Sequence, residues 1–395
     1  MSANGLKCVC CGKVFPYGER YSCDACGGIL DVTYADIFES TEPLSQSFER
    51  MPVSRDEVKG IGMAPTPMLR AERIGKMLGL EKLYLKCELA NLTGSFKDRP
   101  VSIGVAAAKK MGYSQVVTAS SGNAAAATAA CAARQGLECV VIIPATTPDE
   151  KVKQTVFYGA RVFKVPGPYS NSYQVAKELA EKHRICNVTT TFFNPFSLEG
   201  DKIVGYEIYE TLRKMPQWVY VPVGAGPLLA GIHKGLLEYK ERDGLGDTAR
   251  MVAVQAEGNS PIAQAFERGD DTVMNNPQPK TIAGGIADGL VGYERDGSYT
   301  LRLCRESGGK AMSVSDDCIR EAQRLLVELE GVFVEPSAAA SAAAVIRDAQ
   351  EGRLKEDDTV VILLTGHGLK DMKNVAAGGE IPVIESATDV ADMLH

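Results

Sequence analysis

From Leu83 onward the chain alternates short apolar runs with longer segments of helical period. QVVTAS (115–120) is followed by the Ala-rich stretch 124–136, ECVVIIP (138–144) by 149–160, and RVFKVP (161–166) by 172–184. NVTTTFF (187–193), WVYVPVG (218–224), MVAVQAEG (251–258) and TVVILLTG (359–366) continue the series. Apolar runs of strand length separated by amphipathic helices predict βα units and a parallel sheet. The runs lack polar alternation, as expected of strands covered on both faces. The fold class is therefore α/β, built on open parallel sheets.

Outside this region the pattern weakens. Residues 1–33 form a small Cys-rich unit, and 34–62 are a polar extension with some helical potential but no strong period. Residues 259–300 are loop-rich, and no internal repeat appears. The stretch after Asp371 is too short for a regulatory domain.

Composition narrows the function classes. The 395 residues carry 43 Lys and Arg against 50 Asp and Glu, a net charge of −7 that argues against nucleic acid as partner. No apolar run approaches the roughly 18 residues of a membrane span. The N-terminus lacks the apolar core of an export signal, so a cytoplasmic location is expected, with the 11 Cys as reduced thiols or metal ligands. The 39 Gly concentrate where strands hand over to helices, which is where ligands bind in such folds.

Two knuckles stand near the N-terminus, Cys8-x-x-Cys11 and Cys23-x-x-Cys26, each followed directly by Gly (Gly12, Gly27). Glycine there lets amide N–H groups turn toward the thiolates, and four thiolates suit a tetrahedral, structural Zn²⁺. Free thiols are the alternative. Cys10 is a spare thiol beside the set.

Three further segments carry chemistry. In Thr93-Gly94-Ser95-Phe96-Lys97-Asp98-Arg99, Lys97 opens a helical stretch. A partly dehydrated amine at a helix start loses its proton readily, as an amine that attacks an aldehyde must. The plain alternative is a solvated lysine. Ser120-Ser121-Gly122-Asn123 lies between a strand and a helix, where its N–H and hydroxyl groups make a nest for a carboxylate. Gly224-Ala225-Gly226-Pro227-Leu228 again joins strand to helix and suits a phosphate. A dinucleotide reading of that loop suffers from the spacing of its third glycine, Gly231. At the end of TVVILLTG, Thr365 offers a hydroxyl, while His367, alone in a turn, reads as a structural hydrogen-bonding residue.

The order Gly-Ser-Phe-Lys-Asp-Arg, Ser-Ser-Gly-Asn, a Gly-rich loop, Glu335-Pro336-Ser337 and Thr-Gly-His-Gly-Leu-Lys-Asp resembles the fold-type II pyridoxal-phosphate enzymes, specifically the threonine synthase family. The resemblance runs from Thr66-Pro67-Met68 to about residue 376. It implies two open parallel-sheet domains of the tryptophan synthase β-like kind behind a zinc-ribbon-like unit. Residues 63–110 and 196–395 would form the large domain and 111–195 a small mobile substrate domain.

It also implies pyridoxal 5′-phosphate as cofactor, a small amino acid as substrate and a homodimer. Lys97 would form the Schiff base and transfer protons, with Phe96 against the cofactor ring and Asn123 on its 3′-oxygen. Gly224, Ala225, Gly226 and Leu228 would supply phosphate-binding amides, and Thr365 would meet the pyridine nitrogen. Ser120, Ser121, Gly122 and Ala124 would line the substrate site.

Three departures bear on the substrate. Ala124 stands where threonine synthases carry Thr, and Asn194-Pro195-Phe196-Ser197-Leu198-Glu199-Gly200 lacks their Arg, with Lys151 or Lys153 as candidate replacements. The Gly-Ala-Gly-Pro-Leu loop and Thr281–Ile286 are closer to serine and threonine ammonia-lyases. The readings left open are therefore threonine synthase, ammonia-lyase or β-replacement synthase, and a catalytically silent metabolite-binding relative.

Overall fold

The computed structural model describes residues 3–35 and 38–374. Its first sheet is small and antiparallel, ordered β2-β1-β3, from β1 (Ala3–Cys8), β2 (Val14–Pro16) and β3 (Leu30–Tyr34). Two larger sheets follow the βα pattern. One holds β6 (Gln115–Ala119), β7 (Glu138–Pro144), β8 (Arg161–Val165) and β9 (Cys186–Asn187), parallel throughout and ordered β8-β7-β6-β9.

The other has six strands ordered β12-β11-β10-β13-β5-β4. They are β4 (Met68–Arg70), β5 (Lys82–Lys86), β10 (Trp218–Pro222), β11 (Arg250–Ala256), β12 (Lys310–Val314) and β13 (Thr359–Leu363). All neighbours are parallel except β4, which caps the edge antiparallel to β5.

Most predicted elements form where the pattern puts them, and three parts differ. NVTTTFF is a strand only at Cys186–Asn187. Beyond it the Thr189 hydroxyl takes the Ala119 amide (3.1 Å), while the Asn187 side chain accepts from the Thr189 amide (2.9 Å). Side chains thus replace the ladder and turn the chain away from the sheet. The loop-rich 259–300 region contains helices Pro261–Arg268 and the start of Glu294–Glu306. The apolar pattern does not single out β12 or the helix Asp316–Glu330 after it. The stretch after Asp371 lies almost entirely outside the described residues.

Two helices meet beneath the lysine segment. Helix Pro195–Leu212 starts at Asn194, whose side chain accepts from the amides of Phe196 (3.0 Å) and Ser197 (3.3 Å), with Pro195 in the first turn. It packs against helix Asp98–Lys110 through Gly200, where any Cβ would overlap the Arg99 carbonyl.

The small N-terminal sheet is fastened to this framework by buried polar contacts. Lys234 donates to Asp31 (2.7 Å), to the Val32 carbonyl (2.8 Å) and to Glu199 (2.6 Å), and the Tyr34 hydroxyl donates to Glu199. On its other side Tyr21 donates to Cys186 (3.4 Å) and stacks on Phe193 with 4.7 Å between centroids. Among the described residues, no helix is long and apolar enough to cross a membrane.

Candidate active site

The C-terminal ends of β6, β10 and β13 each release a loop: Ser120–Asn123, Val223–Gly226 and Leu364–Gly368. Parallel strands place such loops at one edge, where helix N-termini and their free amides collect. The lysine segment is stitched to the third loop. Phe96 donates its amide to the Thr365 carbonyl (2.9 Å), and His367 donates its own to Gly94 (2.9 Å). Lys97 and Thr365 are therefore held on one short backbone ladder.

Lys97 precedes helix Asp98–Lys110 and is half-buried. Its ammonium donates to the Thr190 hydroxyl at 2.7 Å and lies 4.5 Å from the centre of the Phe96 ring. Burial pulls its pKa down to about 8, against the opposing fields of Asp201, Asp288 and Glu335. All three carboxyls are themselves pushed up by burial. An amine with a pKa near neutrality spends a useful fraction of its time as a nucleophile and base.

The two residues after Lys97 fix its position. Asp98 accepts from the Thr93 amide (2.9 Å), closing the turn in front of the lysine. Arg99, fully buried, pairs with Glu88 (3.1 Å) and Glu207 (2.8 Å), while Lys86 also pairs with Glu207. A charge network this deep destabilises strongly when one member is removed.

Ser120–Asn123, expected to form a nest, follows β6. The Ser120 hydroxyl accepts from the Gly122 amide (3.2 Å), and Asn123 starts helix Asn123–Gln135. The Asn123 amide donates to both oxygens of Glu335, each at 3.1 Å. Ala124 is buried and offers no side-chain donor.

The glycine loop has the form of a cradle. Gly226 has φ 106°, and a Cβ there would overlap Thr300, whose hydroxyl donates to the Ala225 carbonyl (2.7 Å). Among the described residues, the amides of Gly224, Ala225, Gly226 and Leu228 donate to no backbone oxygen. Four free donors at a helix start suit an anion such as a phosphate. These residues therefore fit a phosphorylated aldehyde: an amine for its carbonyl, a cradle for its phosphate and an aromatic ring beside the amine.

Four further residues join the site. Glu335 is visible in the sequence only as part of a motif, Glu335-Pro336 at a helix start, and nothing local marks Thr190, Asp201 or Asp288. Asp201 leaves Oδ1 without a partner in the core, and Asp288 accepts from the Tyr293 hydroxyl (2.6 Å) and the Leu290 amide (3.0 Å). His367 accepts from the Leu369 amide (3.2 Å), the structural role expected of it. Of the two replacement lysines, both are exposed, and Lys151 lies near enough for its charge to act on Glu335.

At the other end of the chain, the thiols of Cys8, Cys11, Cys23 and Cys26 all lie within 4.8 Å of one another, a donor set that suits one tetrahedral metal ion. Gly12 and Gly27 have positive φ, and the Cys10 amide points at the Cys8 sulfur (3.4 Å). Burial raises the Cys8 thiol, but amides of Cys11 and Cys10 and the neighbouring thiols bring it down to about 6. Cys10 stands outside the cluster.

A family model described as pyridoxal-phosphate dependent enzyme matches residues 61–366, and the chain belongs to that family. Among curated relatives it is similar to the threonine synthase of Methanocaldococcus jannaschii, 36% identical over 394 residues and covering 95% of each chain. The threonine synthase of Methanosarcina acetivorans is 35% identical, covering 97% of this chain and 96% of that protein. Among solved structures, maize serine racemase shares the fold, with a TM-score of 0.67 at 24% identity over 84% of this chain and 92% of that one. The processed form of threonine deaminase isoform 2 from Solanum lycopersicum shares it too. Its TM-score is 0.66 at 24% identity, covering 77% of this chain and 79% of that one.

Proposed function

We propose that this enzyme is a carbon–oxygen lyase of amino-acid biosynthesis that converts O-phosphohomoserine and water to threonine and phosphate. The observation that carries the reading is the near full-length likeness to threonine synthases, joined to a half-buried Lys97 and a donor-rich glycine loop in the same chain. Pyridoxal phosphate, when bound, supplies an electron sink for the charge left at the substrate's Cα.

The chain's own residues do the rest. Lys97 would hold the cofactor through its amine and, when that amine is free, would carry protons to and from the substrate carbons. Gly224, Ala225, Gly226 and Leu228 would hold the cofactor phosphate through their amides, and Phe96 would pack beside the ring. Asn123 would donate to the phenolic oxygen, and Thr365 would offer an uncharged hydroxyl to the pyridine nitrogen and so favour its neutral form. Ser120, Ser121 and Gly122 bind the substrate carboxylate, and Ala124 lies beside them.

Residues 111–195 act as the small mobile domain that closes over the amino acid. The Cys8, Cys11, Cys23 and Cys26 cluster holds a structural zinc ion, and the protein works as a cytoplasmic homodimer.

A second reading, ammonia-lyase or β-replacement on an O-activated serine, is favoured by Ala124 and by the lack of Arg before Leu198. Losing a bidentate Arg from a phosphate site weakens it by about 2–3 kcal/mol. Incubation with O-phosphohomoserine separates the two. Release of inorganic phosphate with formation of threonine supports the first reading. Keto acid from threonine or serine, with no phosphate release from O-phosphohomoserine, replaces it with the second.

A further inference from the structure

We propose that Glu335 is a positioning residue that fixes which end of the Asn123 amide faces the cofactor cleft. The inference rests on the reading of Asn123 as the donor to the cofactor's phenolic oxygen. It deepens that reading by explaining how a side chain with two nearly isosteric ends is made to present only one.

The Asn123 nitrogen lies 3.1 Å from each oxygen of Glu335, so the carboxylate receives the NH₂ end. That nitrogen carries two protons. One turned toward Glu335 leaves the other free to face the cleft. An ionised carboxylate only accepts, so a flipped amide would set its carbonyl oxygen against the carboxylate and also against an anionic phenolic oxygen. The same flip is therefore penalised at both ends.

Glu335 is itself rigidly held. It is buried at the start of helix Pro336–Gln350, and its amide donates to the Gly366 carbonyl at 3.0 Å, next to Thr365. Its carboxylate rests against Gly366, where any Cβ would overlap it, and Ser337 accepts from the Gly285 amide (2.7 Å) alongside. Other charges that act on it come from Lys370, Asp371 and Lys151, and Glu335 in turn acts on Lys97. Burial, the largest influence on it, raises its pKa against the Asn123 hydrogen bonds and the Lys370 charge, so the orientation is enforced while Glu335 is ionised and is released as falling pH protonates it. Asn123 and Glu335 lie 212 positions apart in sequence, and no motif that includes one explains the other.

The test is a double-mutant cycle on pyridoxal phosphate binding, with no amino-acid substrate present. The full-length chain and its Glu335→Gln, Asn123→Ala and doubly substituted forms are stripped of cofactor, and the Kd for pyridoxal phosphate is read from the visible band of the bound form. The amide introduced by Glu335→Gln would offer its partner either a donor or an acceptor, so orientation is lost. Binding is expected to weaken about ten-fold in Glu335→Gln, a charge-assisted hydrogen bond's share, and to change little more when Asn123 is already replaced by Ala. The pH midpoint of the band should move in Glu335→Gln and stay near the parent's in Glu335→Asp, which keeps an acceptor-only group.

An unchanged Kd in Glu335→Gln overturns the proposal, as does an equal loss in both Asn123 backgrounds. If Glu335→Gln does not fold, the same cycle with Glu335→Ala decides: binding must weaken when Asn123 is intact and change little when Asn123 is Ala, and an unchanged Kd or an equal loss in both backgrounds overturns the proposal. Because no substrate enters, failure of the threonine synthase reading leaves this result standing, and the reverse also holds.

Discussion

Lys97 shows what one residue's surroundings do to its chemistry. A free lysine amine titrates at 10.5, and here burial brings it to about 8. In the cofactor-free protein the free-amine fraction grows as pH rises through about 8, so the rate of pyridoxal phosphate capture should climb with a midpoint near that value. A rise delayed until about pH 10, read by stopped-flow absorbance, would show a solvated lysine instead. The depressed pKa also means that the folded chain gains stability as pH rises from about 8 to 10.5, where only the unfolded chain still holds this proton.

The sequence identifies this lysine from its neighbours, because Gly94 to Arg99 are local. It cannot identify Thr190, Asp201 or Asp288, which reach Lys97 only once separate elements have packed. Side chains that meet through the fold leave no spacing to read.

Strands and helices are legible wherever a buried parallel strand leaves an unbroken apolar run, as in β6, β7, β10 and β13. They are less so where other chemistry decides the outcome. NVTTTFF has the composition of a strand, yet Thr189 and Asn187 satisfy the backbone with their own side chains and stop it after two residues. The Thr190 hydroxyl that meets Lys97 stands just beyond that stop.

Helix Pro195–Leu212 owes its closeness to helix Asp98–Lys110 to two missing side chains, at Gly200 and at Gly104, where a Cβ would overlap the Ser197 hydroxyl. Gly200 admits the Arg99 carbonyl, so helix Asp98–Lys110 sits close enough for the Arg99 network beneath the lysine. Gly200→Ala must push the helices apart. We expect it to lower unfolding free energy by about 1–3 kcal/mol, by denaturant titration, and to weaken cofactor binding. Unaltered stability together with unaltered binding would mean that this contact does not position Lys97.

Over the whole molecule, the N-terminal knuckle touches both sheet-bearing parts. Asp31 and Tyr34 reach Lys234 and Glu199 on one side, while Tyr21 reaches Cys186 and Phe193 on the other. A metal held by its four thiols would therefore brace contacts well beyond the knuckle. Chelation under reducing conditions should release about one zinc per chain and lower Tm by several degrees. A purified protein with no bound metal and a Tm insensitive to chelator would leave the cysteines as plain thiols.

The modest acidity of the chain, −7, conceals a more local fact: Asp201, Asp288 and Glu335 all act on the one amine at the centre of the site. Net charge says nothing about such a local grouping.

Whether Lys97 carries the cofactor decides all of this chemistry. The most direct check is to treat the purified, pyridoxal-phosphate-loaded protein with borohydride, digest it and locate the attached group by mass spectrometry. We expect a single reduced adduct on Lys97, and loss of both adduct and visible band in Lys97→Ala. An adduct on another lysine, or a band that survives Lys97→Ala, would contradict that assignment.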